Sequence, residues 1–306
     1  MHTSVLLTES IAALQIKEEG IYVDATLGYG GHSSEILRRL KRGFLFAFDQ
    51  DAEAILVSKN KLELIGSNYK IFHTNFNKMK SQLNENGIEE VDGIIFDLGV
   101  SSPQIDDANR GFSFMKDARL DMRMNQDDKK SAYEVINNYS EKDLFKIFIS
   151  YGEEKFSSKI AKRIVENRSK KSIETTLELV EIIKSAVPGQ YFIRNHPERK
   201  IFQAIRIEVN QELNVLKESL PVCIKLLKPS GRIVVITFHS LEDRIVKNIF
   251  KEFTEIPELI KGDPFVNSEL YPKYKLIIKK PIIPTETEIK NNRRSASAKM
   301  RIIERI

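Results

Sequence analysis

Cysteine is almost absent from this sequence, since Cys223 is the one cysteine among 306 residues. A lone cysteine excludes an internal disulfide bond and fits a reducing compartment. Cys223 lies in an apolar helical run, so we expect it in the core and not as a nucleophile. Histidines and cysteines with the spacing of a zinc site are also missing, and we predict no metal site.

Long apolar runs are missing as well. No run approaches the roughly 18 residues that a membrane-spanning helix needs, so we expect no membrane partner. The first ten residues lack a basic stretch followed by an apolar core, and we expect no export signal. Together these absences favour a cytoplasmic location.

The composition that remains is that of an ordinary globular protein of one or two domains, with 41% hydrophobic and 30% charged residues. The net charge is +5, and residues 290–306 carry six basic residues against one acid, Glu304, so this segment holds the whole excess. We predict a basic C-terminal tail from about residue 290. Such a tail suits contact with a phosphate backbone, although a solvated terminus is the plainer interpretation.

Short apolar runs of strand type recur through the first hundred residues and once more near the end. They are continuous and not alternating, and helical patterns such as 34–40 and 51–64 separate them. This arrangement predicts a parallel sheet covered by helices on both faces. The predicted strands are 20–26, 44–49, 69–72, 91–97 and 232–238.

Strand signals disappear between about residues 104 and 206, where amphipathic helical patterns take over at 141–149, 158–167 and 175–185. Ser140 and Asp143 resemble an N-terminal helix cap. A long helical stretch, 202–227, and a turn at 228–231 then lead to the last predicted strand. We predict a discontinuous α/β domain, residues 1–104 and 207–306, interrupted by a helical insertion at 105–206.

The first strand ends in a glycine loop that contains Gly28, Gly30 and Gly31. Glycines there let the backbone approach a ligand closely, although they also serve plain turns. Asp49, 21 residues after Gly28, ends the second strand, where a carboxylate can accept hydrogen bonds from the ribose of an adenine cofactor. Strand, loop, helix, strand and terminal acid together favour ligand binding.

The loop spacing distinguishes between two kinds of cofactor. A dinucleotide site needs G-x-G-x-x-G, whereas this loop has no glycine at the last position. A sulfonium cofactor carries no phosphate, so we favour S-adenosylmethionine. Phe76, after the third strand, is placed to stack on adenine or to pack in the core.

The fourth predicted strand ends at Asp97, where cofactor and substrate meet in such sheets. An exocyclic base amine is a poor nucleophile because its lone pair is delocalised into the ring. An acceptor for the amine hydrogens can orient the nitrogen for methyl transfer, and Asp97 is a reasonable acceptor. The plainer interpretation is that Asp97 caps a helix or turn.

Seven short runs, spread over almost the whole chain, resemble those of the RsmH (MraW) family. They include Gly-Tyr-Gly-Gly-His-Ser in the glycine loop and Thr-Phe-His-Ser-Leu-Glu-Asp-Arg after the last strand. Together they are highly specific. The runs are 28–33, 97–104, 110–114, 120–124, 151–154, 202–207 and 237–244.

This resemblance implies a class I S-adenosylmethionine-dependent methyltransferase, with a Rossmann-like sheet and a helical insertion domain that contacts RNA. It implies methylation of the N4 amine of a cytosine, cytosine 1402, in the decoding centre of 16S ribosomal RNA within the small ribosomal subunit. The resemblance also implies a set of cofactor contacts. These are Gly30, Gly31, His32, Asp49, Phe76, Asp97 and Gln104.

The catalytic groups are our own hypothesis, because the Asn/Asp-Pro-Pro-aromatic motif of other amine methylases is missing. We expect direct in-line transfer to an extruded base, with Asp97 or Ser101 as the acceptor for the amine. His239 is either catalytic or a hydrogen-bonding residue of the turn after its strand. The oligomeric state, monomer or homodimer, stays open.

Two other classes of protein remain. One is a dinucleotide-dependent oxidoreductase, which the basic tail and the missing third glycine disfavour. The other is an RNA-binding assembly factor with a decayed cofactor pocket, which the intact Gly30, Gly31 and Asp49 disfavour.

Overall fold

The computed structural model describes residues 4–256 and 271–306. These residues form two compact units, each with its own core. The sheet unit comprises the described residues of 1–99 and 213–306, and the helical unit comprises Val100–Glu212. The predicted insertion, residues 105–206, lies inside the helical unit.

The sheet unit contains one sheet of seven described strands in the order β3-β2-β1-β4-β5-β7-β6. The strands β1 to β5 are parallel, and β7 runs antiparallel to both β5 and β6. The strand order reverses between β1 and β4, and ligands bind at such a switch point, outside the carboxyl ends of the strands. The strands are β1 Ile21–Asp24, β2 Phe44–Asp49, β3 Tyr69–His73, β4 Val91–Asp97, β5 Leu227–Thr237, β6 Tyr274–Leu276 and β7 Lys299–Arg305.

Helices cover both faces of this sheet, as the continuous apolar runs predict. In β2, Phe46 and Phe48 face one core with α4, α12 and α13, whereas Leu45 and Ala47 face the other with α1, α2 and α3. Both sets of side chains are buried, so a strand with no polar face is stable here. The helices of the sheet unit are α1 Leu7–Leu14, α2 Gly31–Leu37, α3 Ala52–Glu63, α4 Met79–Glu85, α12 Glu212–Ile224, α13 Ser240–Thr254 and α14 Glu286–Asn291.

The helical unit packs around a separate apolar core. Side-chain caps begin several of its helices. Ser131 and Thr175 form capping boxes before α6 and α9, and Ser140 accepts a hydrogen bond from the Asp143 N–H before α7, as predicted. The helices are α5 Ser102–Asp106, α6 Ala132–Asn138, α7 Glu141–Gly152, α8 Ser157–Arg168, α9 Thr176–Ala186, α10 Gly189–Asn195 and α11 Pro197–Asn210.

The backbone of an irregular loop of the helical unit is held by side chains of other segments, Asn210 at the end of α11 and Arg110. The Asn210 amide donates to the Met122 carbonyl and accepts from the Met124 N–H, both at 2.8 Å. The Arg110 guanidinium donates to the carbonyls of Arg123 and Met124. Met122 is buried with φ 61°, a left-handed conformation that costs a non-glycine residue roughly 1–2 kcal/mol. The surrounding hydrogen bonds hold it there.

The predicted basic tail is wrong for its second half, because residues 299–305 form strand β7. Met300, Ile302 and Ile303 are buried in the sheet, and β7 pairs with β5 from Thr237 opposite Lys299 to Arg232 opposite Glu304. In the sequence the many charges of this segment indicate exposure, although apolar residues lie between them. Its cations are instead neutralised by acids that lie far away in the sequence.

Two predicted boundaries also differ from the structure. The helical stretch predicted at 202–227 is two helices, because Gln211, with φ 53°, ends α11 in a left-handed conformation. The turn predicted at 228–231 lies within β5, where Ser230 has φ 63° and the pairing register with β4 shifts. A local irregularity inside a strand carries the same sequence signal as a turn.

Among the described residues, no helix has both the length and the apolar character that a membrane crossing requires.

Candidate active site

Three neighbouring parallel strands each end in an aspartate. Asp24 ends β1, Asp49 ends β2 and Asp97 ends β4. Because the strands are parallel, the three carboxyl groups lie at the same edge of the sheet, next to the switch point.

The glycine loop after β1 requires glycine at two positions. Gly30 has φ 74° and caps the start of α2, and a β-carbon there would lie 3.1 Å from Ser58 Oγ. A β-carbon at Gly31 would collide with Ser4 Oγ. The loop is therefore packed between α3 and the residues that precede α1. Only glycine, which has no side chain, fits at these two positions of the loop.

Asp49 is bound to this loop through its backbone. Its Oδ2 accepts from the Gly28 N–H at 2.6 Å and its Oδ1 accepts from the Asp51 N–H at 2.9 Å. Burial raises the pKa of Asp49, and these N–H groups oppose that effect. Each carboxylate oxygen keeps a further lone pair, so the orientation suits acceptance of hydroxyl hydrogen bonds. The ribose contact itself stays a prediction.

Asp24 is a site residue that the sequence reasoning missed. It is buried, and it accepts hydrogen bonds from Ser33 Oγ at 2.7 Å and from the Thr26 N–H at 3.1 Å. Burial raises the pKa of Asp24 to about 6. The signal that points to Asp49 and Asp97, an acid at the end of a buried strand, is equally present at Asp24.

Asp97 lies against His32 and has one unsatisfied oxygen. Its Oδ2 is 3.7 Å from His32 Nδ1, and its Oδ1 is buried with no hydrogen-bond partner among the described residues. Burial first, and then the charges of Asp24 and Glu242, raise the pKa of Asp97 well above its ordinary value. Burial lowers the pKa of His32 to about 4, so its imidazole is neutral at pH 7.

His239 caps helix α13, which supports the structural interpretation of this residue. Its Nδ1 accepts from the Glu242 N–H at 3.4 Å, and Glu242 Oε2 accepts from the Phe238 N–H at 2.8 Å. This capping box buries the Glu242 carboxylate, whose charge acts on Asp97. Glu242 is therefore a second acid that sequence reasoning missed.

The other predicted contacts lie in two places. Phe76 begins a short 3-10 helix, is partly buried, and packs edge-on against Phe96 with ring centroids 5.3 Å apart. Ser101 and Gln104 belong to the helical unit, where they form a capping box before α5. The Ser101 N–H donates to Gln104 Oε1 at 3.0 Å. Their proposed roles at the cofactor and the amine stay predictions.

Two arginines of the helical unit pair with nearby acids, Arg123 with Asp121 at 2.6 Å and Arg206 with Glu212 at 2.9 Å. Cys223 is buried with its pKa raised to about 12 by burial, which confirms its place in the core.

The residues at this edge fit a cationic adenine cofactor. Asp97 Oδ1 and His32 Nε2 are buried polar atoms with no hydrogen-bond partner among the described residues, and three carboxyl groups lie around a loop that has no room for a side chain at Gly30 or Gly31. A sulfonium and an ammonium group complement such carboxyl groups, whereas a pyrophosphate would meet them with like charge. Among residues 4–256 and 271–306, no cluster of histidine, cysteine or acidic side chains could hold a metal ion.

The strand order 3-2-1-4-5-7-6, the glycine loop after β1 and the acid after β2 define a class I S-adenosylmethionine-dependent methyltransferase. Comparison with known families gives the particular group. The chain belongs to the MraW methylase family, which matches it over residues 1–306. This membership confirms the family, the fold class and the methyl donor that the sequence motifs predict.

Relatives of known name cover the whole chain. Ribosomal RNA small subunit methyltransferase H of Limosilactobacillus fermentum is 51% identical, over 100% of this chain and 98% of the relative. The protein of that name from Streptococcus mutans is 52% identical, with the same two coverages. The solved structure of an rRNA methylase from Streptococcus thermophilus aligns with 100% of this chain and 98% of that chain, at 10% identity and a TM-score of 0.45.

Proposed function

We propose that this chain transfers a methyl group from S-adenosylmethionine to the N4 amine of cytosine 1402 in 16S ribosomal RNA of the small ribosomal subunit. The names of its relatives support small-subunit ribosomal RNA as the substrate, and the sequence motifs support the cytosine amine. We place the activity in the cytoplasm. The observation that carries the proposal is Asp97, which ends β4 beside the glycine loop and has one buried oxygen with no partner in the part of the chain that the structure describes.

Methyl transfer to this amine requires help from the protein. A nitrogen–carbon bond forms while the sulfur–carbon bond breaks, the bonding electron pair stays on sulfur, and one amine proton passes to the Asp97 carboxylate. An ionised Asp97 accepts a hydrogen bond from the amine, which holds the nitrogen in line and stabilises the positive charge that develops on it. The cofactor supplies the activated methyl group when bound.

The protonation states at the site agree with this role. Neutral His32 adds no charge beside Asp97, so the carboxyl group keeps its preference for a cationic neighbour. Burial is the main cause of the raised pKa of Asp97. Beside a sulfonium, Asp97 would favour its carboxylate form, which would lower this pKa and suit its role as the acceptor.

We propose further that the helical unit is the RNA-binding domain. Phe156 and Tyr191 form an edge-to-face pair with ring centroids 4.6 Å apart, and the Nζ atoms of Lys155 and Lys159 lie 6.0 and 5.5 Å from the Phe156 ring centroid. Tyr191 is fixed by a 2.7 Å hydrogen bond to buried Glu154. Aromatic rings rimmed by cations suit stacking on unpaired bases with contacts to phosphates.

The test is transfer of labelled methyl from S-adenosylmethionine to small subunits that lack this modification, followed by nucleoside analysis. We expect label in N4-methylcytidine at one position. Asp97→Asn removes the anionic acceptor at nearly unchanged size, and we expect the single-turnover rate to fall roughly 100-fold or more.

The matched control is Asp92→Asn. Asp92 is the second residue of the same strand, where it forms ion pairs with Lys17 and Lys228. We expect this variant to keep the rate of transfer. Label on a purine or on protein would refute the substrate assignment, and an unaltered rate in Asp97→Asn would refute the role of Asp97. Failure to bind the cofactor in calorimetry would favour an RNA-binding assembly factor instead.

A further inference from the structure

The basic residues near the end of the chain fall into two groups by their partners. The cations of β7 are paired: Lys299 and Arg301 with Asp243, at 3.4 and 2.7 Å, and Arg305 with Glu90, at 2.6 Å. These three cations hold the strand to the sheet unit. Because acids of the same chain neutralise these cations, they attract a phosphate group only weakly.

The second group is different. Lys279, Lys280, Lys290 and Arg293 are exposed, and none of them forms an ion pair with any residue in 4–256 or 271–306. The backbone at Arg293 is held by local contacts, since the Asn292 side chain caps a 3-10 helix at Arg293–Ser297 and Ser295 is fully buried. Exposed cations without an ion-pair partner among the described residues are typical of a surface that binds an anion.

The topology places this second group at the edge of the sheet that carries the active site. The strand β7 is antiparallel to β5, and its first residue, Lys299, lies opposite Thr237, the last residue of β5. The segment that precedes β7, with α14, Lys290 and Arg293, therefore lies where the parallel strands have their C-terminal ends. We call this side of the sheet the carboxyl edge. Ile282 pairs with Met300, so Lys279 and Lys280 lie beside the first half of β7.

A chain of contacts links α14 to the glycine loop. Glu288 Oε1 accepts from the Leu6 N–H at 2.8 Å. Two residues earlier, Ser4 packs so closely on the loop that a β-carbon at Gly31 would collide with it. Helix α14, which carries Lys290, is therefore bound to the segment that packs on the loop we assign to the cofactor.

We infer that Lys279, Lys280, Lys290 and Arg293 form a C-terminal basic surface that binds the phosphate backbone of the RNA substrate next to the reacting base. This inference rests on the proposed function, because an RNA strand must reach the carboxyl edge to present its base there. It differs from the sequence-based expectation of a tail: the phosphate contacts come from the segment before β7, not from β7. Lysine and arginine at such a surface displace counterions from RNA, so binding depends on salt.

The experiment measures RNA affinity against salt for two double variants, Lys279→Gln/Lys280→Gln and Lys290→Gln/Arg293→Gln. Fluorescence anisotropy with an RNA fragment around the target cytosine gives the slope of log K against log salt. We expect each variant to bind less tightly at low salt and to reduce the slope by about 1.4–1.8, at roughly 0.7–0.9 per phosphate contact. Calorimetry should give an unchanged Kd for S-adenosylmethionine, which shows that the fold and cofactor site are intact.

The matched control is Lys217→Gln/Lys225→Gln, which removes two exposed cations from the same unit, one on α12 and one directly after it. Lys225 lies just before β5, at the opposite edge of the sheet. We expect this control to keep the slope of the unaltered chain. Slopes that match the unaltered chain in both test variants would overturn the inference.

The two proposals fail in distinguishable ways. If the unaltered chain methylates RNA but the two variants keep its salt slope, the basic surface is wrong and the proposed function stands. If the variants lose slope while the unaltered chain methylates no RNA, the surface binds RNA and the proposed function is wrong.

Discussion

At the scale of single residues, three strand-ending aspartates that look alike in the sequence differ in how their oxygens are satisfied. Asp49 is held by two backbone N–H groups and Asp24 by a serine hydroxyl and a backbone N–H. Asp97 keeps a buried oxygen without a partner among the described residues. A buried acceptor without a partner is costly, so we propose that a ligand completes the site at Asp97.

Asp24 gives a pH dependence of stability with a definite sign. Its pKa is raised from 3.8 to about 6 in the folded chain, chiefly by burial, so the fold binds this proton more tightly than the unfolded chain does. The corresponding stability is complete below about pH 4 and is lost as the pH rises through about 6. Between pH 4 and 7 we expect the free energy of unfolding to fall by about 3 kcal/mol relative to Asp24→Asn. Urea denaturation of both proteins without cofactor measures the difference.

Asp92→Asn is the control for this titration. Burial acts to raise the pKa of Asp92, but hydrogen bonds from the Ile21 N–H, Lys228 and Lys17 outweigh it and lower the pKa. Its stabilisation is lost only as the pH falls below about 4, so the difference from the unaltered chain should stay constant between pH 4 and 7. If the difference in unfolding free energy between the unaltered chain and Asp24→Asn were also constant over this pH range, the raised pKa of the buried Asp24 carboxyl group would be wrong.

At the scale of secondary structure, β7 shows how a charged segment becomes part of a core. Of its seven residues, Met300, Ile302 and Ile303 are buried, while Lys299, Arg301 and Arg305 reach acids on other elements. It lies between β5 and β6, so removing it would expose two strand edges. The apolar pattern of the segment is short and lies among charged residues. The sequence alone therefore did not indicate a buried strand here.

Truncation of one side chain tests this strand. Ile303 is fully buried, and Ile303→Ala should lower the free energy of unfolding by about 2–5 kcal/mol because it leaves a cavity. Ile306, 65% exposed, is the control, and Ile306→Ala should change stability by less than about 0.5 kcal/mol. Equal denaturation midpoints for the two variants would mean that residues 299–306 are a solvated tail after all.

At the scale of the whole molecule, two units with separate cores contribute to the proposed reaction, and the aromatic pair proposed for RNA binding belongs to a different unit from the cofactor loop. The carboxyl edge and the glycine loop belong entirely to the sheet unit. The pair of Phe156 and Tyr191, with its flanking lysines, belongs to the helical unit. Cofactor binding and RNA binding should therefore be separable by mutation.

Loss of the lysines beside Phe156 tests this separation. We expect Lys155→Gln/Lys159→Gln to raise the KM for RNA several-fold and to leave kcat and the Kd of S-adenosylmethionine unchanged, because only phosphate contacts are lost. Lys142→Gln/Lys146→Gln removes the same charge from exposed positions of α7 and should keep the KM. If both pairs raise the KM equally, the effect is one of net charge and not of the aromatic surface.

The sequence by itself determined the parallel sheet, the glycine loop, Asp49, Asp97 and the change to helices near residue 100. These features are local, because continuous apolar runs, glycines and strand-ending acids are adjacent in the chain. Only the tertiary structure decided the place of β7, whose Arg301 pairs with Asp243, 58 residues away. It also decided which acid keeps an unpartnered oxygen and which cations stay unpaired. Burial and ion pairing join groups that are distant in the sequence, and no local pattern contains that information.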